Sequence, residues 1–327
     1  MVRLTLFALA VSAITTSVAG LNILLGNDDS WASANIRATF DELTKRGHNV
    51  LLVAPLVQNS GQGGRVILPT TNVTAPGGEF GSVPVGAPFF GHDANSDRIW
   101  YFNGTPAAVT FFALDVLVPQ VLGNETIDVV INGPNEGGNL GPFLYTLSGT
   151  MGATYAAVYK GVPGVAFSAG NGTHRSFTTN TGLPDDPANI AANLTANFVD
   201  ALANTTKPGE PILPTGVGIN VNLPTFGPGN ACIDPPFVLT RFTGGATVDK
   251  LFINETTGLP QSINVQSPGV NTGVNGALFL PGENIIAAQC MTSVSFFGVD
   301  YDAQADLAEP SQAKLNTLFG HSALPQL

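Results

Sequence analysis

The chain has 327 residues, 44% of them hydrophobic and only 11% charged, with 38 glycines and 24 prolines. That length buries a sizeable core, and the hydrophobic share excludes a disordered chain, leaving a globular protein rich in ordered loops. A net charge of −11 excludes broad attraction to duplex nucleic acid, which needs a basic surface to displace counterions. A small anion would have to be attracted locally, by backbone amides or by a bound cation.

The first residues read Met1-Val2-Arg3, then an apolar run from Leu4 to Ala13, then small residues up to Ala19. This is the layout of a secretory leader, and residues 1–19 are expected to be a signal peptide cleaved after Ala19. The apolar run is shorter than a membrane span, and no later segment reads as one. Asn-X-Thr sequons at Asn72, Asn103, Asn124, Asn171, Asn193, Asn204 and Asn254 fit a secreted, extracellular glycoprotein. Asn103 lies beside a suspected active-site loop and is expected to stay bare. Cys232 and Cys290 are the two cysteines, so an oxidising compartment permits one disulfide.

Leu21 to Leu25 is a short apolar run that ends in Gly26-Asn27-Asp28-Asp29 and reads as a buried strand. Ala34, Ile36, Ala38, Phe40 and Leu43 then follow helical spacing between Ser33, a candidate N-cap, and Gly47, a stop signal. Asn49 to Ala54, before Pro55, is a second strand. This β-α-β unit implies parallel strands and places both following loops at the carboxyl edge of the sheet, where ligands of open α/β folds bind. Further on, helices are expected over Pro106–Val118, Gly149–Tyr159 and Pro187–Ala203, and strands over Asp128–Asn132, Gly164–Ser168 and Val217–Asn222. From 225 to 290 the composition turns to Gly, Pro, Asn and Thr with short apolar runs, which suggests hairpins or an arm outside the main sheet. Ser293–Phe297 looks like a returning strand and Gln312–Phe319 like a terminal helix. The expected division is a leader over 1–19, an α/β core over 20–224, an irregular arm over 225–290, and a strand plus helix over 291–327.

Four loop segments carry candidate chemistry. Asp28 and Asp29 stand at a strand-to-loop corner, where adjacent carboxylates can converge on one cation, although turns also use such residues as caps. After the second strand, the segment from Gln58 to Gly64 offers Ser60 as an oxygen ligand and glycines that let backbone approach a phosphate. The third loop, Gly133-Pro134-Asn135-Glu136-Gly137-Gly138-Asn139-Leu140-Gly141, offers Asn135 and Asn139 as neutral oxygen donors for a hard divalent cation. Ser148-Gly149-Thr150 opens a helix, a natural phosphate cradle, with Ser148 equally suited to act as a simple N-cap.

In order, Leu-Gly-Asn27-Asp28-Asp29, Val-Ala-Pro55 with Asn59-Ser60-Gly61, Asn103-Gly-Thr-Pro106, the Gly133–Gly141 segment and Ser148-Gly-Thr-Met-Gly-Ala153 resemble the SurE family of nucleotidases and acid phosphatases. The resemblance spans roughly 21–224, with weaker matches at Ile219–Pro224 and around Val294. It implies a Rossmann-like, three-layer αβα fold with a mostly parallel sheet and a C-terminal hairpin arm, in a secreted and fungal member. It also implies that Asp28, Asp29, Ser60 and Asn135 hold one divalent cation (Mg, Mn or Ca), with Asp28 and Asp29 catalytic. Asn27, Asn139, Ser148, Gly149 and Thr150 would line the phosphate or support the ligand loops. The substrate would be a nucleoside monophosphate or another small phosphate ester, and dimers or tetramers would assemble through C-terminal arms; an exchanged arm favours a homodimer, whereas a glycan-coated, disulfide-tethered lobe leaves a monomer. Position 30 is Ser where the family usually has Gly, and the loop from Asn59 to Arg65 lacks the usual Gly-His-Ser trail; both border the substrate pocket.

The four histidines show no metal-ligand spacing and read as surface or internally satisfied, with His92 and His174 able to reach the pocket from loops. Trp31 suits either stacking on a base or covering the core. A metal-dependent nucleoside hydrolase and a non-catalytic secreted metal-binding glycoprotein remain the competing readings.

Overall fold

The structure is a computed structural model that describes residues 20–207, 209–227, 229–230, 232–242, 249–264, 280–283, 286, 289–299, 308–310 and 313–314. The leader expected over 1–19 and most of the terminal helix expected over 312–319 lie outside the described residues.

Strand β1 (Asn22–Gly26), helix α1 (Ala34–Lys45) and strand β2 (Asn49–Pro55) form the expected opening unit, with β1 and β2 parallel and Leu24 opposite Leu51. Both strands read as apolar runs because both faces are covered. Ile23, Leu25, Val50 and Leu52 join a core that includes Ile36 and Leu43 of α1, while Leu24, Leu51 and Val53 join one beneath helix α2 (Pro106–Phe112). Between them lie two strands that the sequence reading missed. These are β3 (Phe90–Asp93) and β4 (Ser96–Phe102); β4 pairs parallel to β2 and antiparallel to β3.

The helix expected over Pro106–Val118 is interrupted. After α2 the chain widens into a π turn over Ala113–Leu117 before the short helix α3 (Val118–Val121). Pro119 explains this, since it lacks an N–H to donate and its ring would crowd the carbonyl of Asp115 in a regular α-helix. Strand β5 (Val129–Glu136) outruns its expected end at Asn132, passing a cis Gly133–Pro134 bond and a register shift between Asn132 and Asn135. There follow helices α4 (Gly141–Leu147) and α5 (Gly149–Tyr159), strand β6 (Gly164–Ala169), helix α6 (Pro187–Thr205) and strand β7 (Val217–Leu223). Strands β8 (Phe237–Thr240), β9 (Asp249–Ile253), β10 (Pro260–Asn264) and β11 (Thr292–Gly298) complete the strands.

The main sheet has the order β3-β4-β2-β1-β5-β6-β7-β11-β8, and β9 and β10 form a separate hairpin. The expectation that 225–290 stands outside the main sheet is therefore half right. The hairpin is separate, but β8 pairs parallel to β11, with the Thr240 and Ser295 hydroxyls 2.7 Å apart. The Cys232–Cys290 disulfide ties the lead-ins of these two strands together. Strand order reverses between β1 and β5, so the carboxyl ends of these strands flank the crevice where α/β folds place their ligands.

Candidate active site

Asn27, Asp28 and Asp29 leave the end of β1 almost completely buried, at 1%, 2% and 1% exposure. Asp28 Oδ1 accepts the Thr150 hydroxyl at 2.7 Å, and Asp29 Oδ2 accepts the Glu136 N–H at 2.8 Å. Burial raises the Asp28 carboxyl above its ordinary range, partly offset by hydrogen bonds from Thr150 and Gly149. Burial raises Asp29 still further, joined by the negative charges of Asp28 and Glu136 and opposed by hydrogen bonds from the Glu136 amide and Ser60. Among the described residues, no Lys, Arg or His forms an ion pair with either carboxylate. Two buried like charges without a counter-charge suit a cation.

The neutral donors fit as well. Asn135 Nδ2 donates to the Gly137 carbonyl at 2.7 Å, which leaves its buried Oδ1 without a partner. The same holds for Asn27, whose Nδ2 donates to the Ser30 carbonyl and to Ser33 Oγ while Oδ1 stays unpartnered. Ser33 thus sits at the N-cap position of α1 without capping it through its side chain. Among the described residues, no group of three or more His, Cys, Asp or Glu side chains forms a cage. Two carboxylates with hydroxyl and amide oxygens are the donor set of a hard divalent cation, which Asp28, Asp29, Ser60 and Asn135 would hold.

Helix α5 enters the site at its N-terminus. Ser148 caps it, its hydroxyl accepting from the Met151 N–H at 3.2 Å, so the capping role is realised. Gly149 is required by proximity, because a Cβ there would lie 2.9 Å from Asp28 Cβ and Oδ2 and from Pro106 Cγ. Gly152 is as constrained, since its Cβ would come within 2.0 Å of the Gly63 carbonyl oxygen in the Ser60-bearing loop. That loop is also held by the Asn59 N–H, which donates to the Asp28 carbonyl at 2.7 Å.

His174 reaches the site from the loop after β6. Its Nδ1 lies 2.6 Å from Glu136 Oε2 and its Nε2 lies 3.2 Å from Glu79 Oε1. The ring packs against Phe80, with centroids 4.8 Å apart. Beyond Phe80 is a cavity of about 500 Å³ lined by Trp31, Pro84, Tyr101 and Phe177. Trp31 is 5% exposed, donates to Ser82 Oγ and lies 5.2 Å from the Tyr101 ring, so it belongs to the core and also forms cavity wall.

Residues 23–243 match the family model described as Survival protein SurE. The chain belongs to the SurE family. It is 46% identical over 296 residues to an acid phosphatase of Yarrowia lipolytica, covering 89% of this chain and 82% of that one. It is 34% identical over 151 residues to a 5'-nucleotidase SurE of Lawsonia intracellularis, covering 45% of this chain and 51% of the relative. A SurE protein of Aquifex aeolicus shares the fold, with a TM-score of 0.58 at 22% identity over 90% of this chain and 99% of the other.

Within this SurE-family site, the Ser30 that replaces the usual glycine keeps a glycine-like backbone, at φ 98°. Its hydroxyl accepts from the Ala32 N–H at 3.2 Å and lies 3.4 Å from the Leu56 carbonyl. Asn139 is tied into the fold: its Nδ2 donates to Ser168, its N–H to Asn222 Oδ1, and its carbonyl accepts from Asn220 and Asn222. The sequence reading left four contributors without a role. Asn222 and Glu136 stood in quoted segments, whereas Glu79 and Glu283 carried no local signal. Glu283 is fully buried; it accepts from the Gly141 N–H at 2.5 Å and from Asn220 Nδ2 at 3.2 Å. His48 is internally satisfied, between the Leu21 N–H and Asp200.

Proposed function

We propose that this SurE-family protein is a divalent-metal-dependent phosphomonoesterase acting on nucleoside monophosphates and other small phosphate esters. The observation that carries the reading is the buried Asp28–Asp29 pair, without an ion-pair partner among the described residues, together with the buried, unpartnered Oδ1 of Asn135, whose neighbour Glu136 donates its N–H to Asp29. A divalent cation bound there supplies charge neutralisation for the phosphoryl oxygens and acidifies water. The chain's own groups do the rest. Asp29, fixed by the Glu136 N–H and Ser60, serves as a ligand. Asp28, with Oδ1 engaged by Thr150, is left with Oδ2 to orient the attacking water and take its proton. As water attacks phosphorus in line, the ester P–O bond breaks, and that proton passes to the leaving oxygen to give an alcohol and inorganic phosphate. The aromatic cavity beyond Phe80 suits a flat leaving group, a nucleobase or an aryl ring.

The test is phosphate release from a panel of nucleoside monophosphates and an aryl phosphate, with and without chelator, by wild-type and Asp29→Asn protein. Chelation and the substitution should each lower kcat/KM ~100-fold or more, the equivalent of several kcal/mol. Turnover unaffected by either would overturn the reading, and release of free base would point to a nucleoside hydrolase.

Secretion with N-glycosylation is proposed on the leader and the sequons. Asn72, Asn124, Asn193 and Asn204 are exposed, whereas the half-buried Asn171 is held at both ends of its amide, Nδ2 donating to the Phe226 carbonyl at 2.6 Å and Oδ1 accepting the Phe226 N–H at 3.2 Å, and suits no glycan. Peptide mapping after enzymatic deglycosylation should find the first four converted to Asp and Asn171 unchanged; a glycan on Asn171 would refute this assignment. For the β9–β10 hairpin, the proposed cover is a second copy of the chain.

A further inference from the structure

The end of β5 bearing Asn135 and the loop bearing Ser60 come from different strands, so a cation held by both depends on what fixes one segment to the other. A continuous chain of contacts does this outside the ligand set. Asp29 Oδ2 accepts the Glu136 N–H, and the Glu136 carboxylate meets His174 Nδ1 at 2.6 Å. His174 Nε2 meets Glu79 Oε1 at 3.2 Å, and Glu79 Oε2 accepts the Gln58 N–H at 2.9 Å. Gln58 Oε1 in turn accepts the Ser60 N–H at 3.3 Å. With an acidic side chain on each ring nitrogen, His174 is held by a hydrogen bond at both Nδ1 and Nε2.

We propose that His174 is a positioning residue that braces the two ligand-bearing segments of the cation site, through Glu136 on one side and Glu79 on the other. The Glu136 side chain is 4% exposed and that of Glu79 24%, so neither is free to swing, while His174 keeps 32%. Partial burial opposes charge on the ring, yet Glu136 first and Glu79 second hold its pKa above the ordinary histidine range. The Phe80 ring packed against it, tilted by 34°, limits rotation of the imidazole. Among the described residues, His174 hydrogen-bonds Glu136 and Glu79 rather than any of the four proposed ligands. Its effect on them is on their spacing, and groups that orient ligands in this way change metal affinity by roughly 10–100-fold when removed.

The inference rests on the proposed cation-dependent reading, so the test measures binding as well as turnover. Chelator-stripped wild-type protein and the variants His174→Ala, His174→Asn and His174→Gln would be titrated with Mn(II) and with Mg(II) by calorimetry, with thermal melting of each stripped protein alongside. An Asn amide stands where Nδ1 stood and keeps the Glu136 contact; a Gln amide stands where Nε2 stood and keeps the Glu79 contact. A brace needs both, so all three variants should weaken cation binding about 10-fold or more. Their stripped melting temperatures should stay near wild type. Glu79→Gln should give a similar loss, and the double variant with His174→Ala little more than either alone, since the two act in one chain of contacts.

Wild-type cation affinity in His174→Ala, or full retention in His174→Asn, would overturn the brace. So would losses that add in the double variant. Absence of cation binding by the wild-type protein would instead remove the functional reading itself, which keeps the two failures apart.

Discussion

At the scale of single residues, the site is built by close approach more than by side-chain reach. Gly149 shows this most clearly, because the first residue of α5 packs directly on the Asp28 carboxylate. Gly149→Ala should push Asp28 off its bond to Thr150. We expect kcat/KM to fall at least ~10-fold, while the fold loses about 1–3 kcal/mol, the usual cost of an extra methyl in a packed interior. Steady-state kinetics and denaturant melts separate the two, and unchanged kinetics would mean that helix and carboxylate move independently. The proposed ligand residues stand out in the sequence because each carries an oxygen at or beyond the end of an apolar strand. Glu79 carried no such signal, because its contact with His174 joins residues 95 positions apart, and for His174 only its reach to the pocket was legible and not its partner Glu136, 38 positions away.

At the scale of elements, the opening β-α-β unit was legible because a two-faced buried strand and a 3.6-residue period leave little ambiguity. The β3–β4 pair went unseen, since its half-buried strands mix Ser, Asp and Arg with aromatics, and β8 was hidden in a segment rich in Gly and Pro. What β8 and β11 bring with them is Glu283, delivered beside the Asn139 loop. Burial pushes the Glu283 carboxyl up to about 7, against hydrogen bonds from Gly141, Ser295 and Asn220 that favour the charged form. A carboxyl whose pKa is higher folded than unfolded binds more protons in the folded state. Its cost is absent below about pH 4.5, grows as pH rises, and is complete above about 7, where it amounts to about 3 kcal/mol. Glu283→Gln should remove that component: between pH 5 and pH 8, the variant should gain stability relative to wild type. Chemical denaturation at the two pH values checks this, and a constant difference would show that Glu283 does not titrate in the range.

At the scale of the whole molecule, the α/β core accounts for itself, but the β9–β10 hairpin does not. It is a two-stranded ribbon outside the nine-stranded sheet, and such ribbons are at best marginally stable alone in water. It nevertheless exposes Leu251 (74%), Phe252 (43%), Ile253 (60%) and Leu259 (63%). Leu251 and Ile253 share one face of β9, which is thereby apolar, and Phe252 takes the other opposite Gln261. Large apolar side chains gathered on a ribbon outside the sheet suit a partner surface, and in the proposed dimer a two-fold exchange of identical arms would cover both ribbons with one contact type. The expected state is therefore a homodimer. Light scattering at micromolar concentration should give twice the chain mass for wild type, and Leu251→Lys with Ile253→Lys should return a monomer. Because the carboxylates, Ser60 and Asn135 all lie in the core, phosphatase activity per chain should persist in that monomer. A wild-type protein that is already monomeric would leave the ribbon unexplained by self-association and overturn the prediction. A dimer that survives both lysines would place the contact elsewhere on the surface.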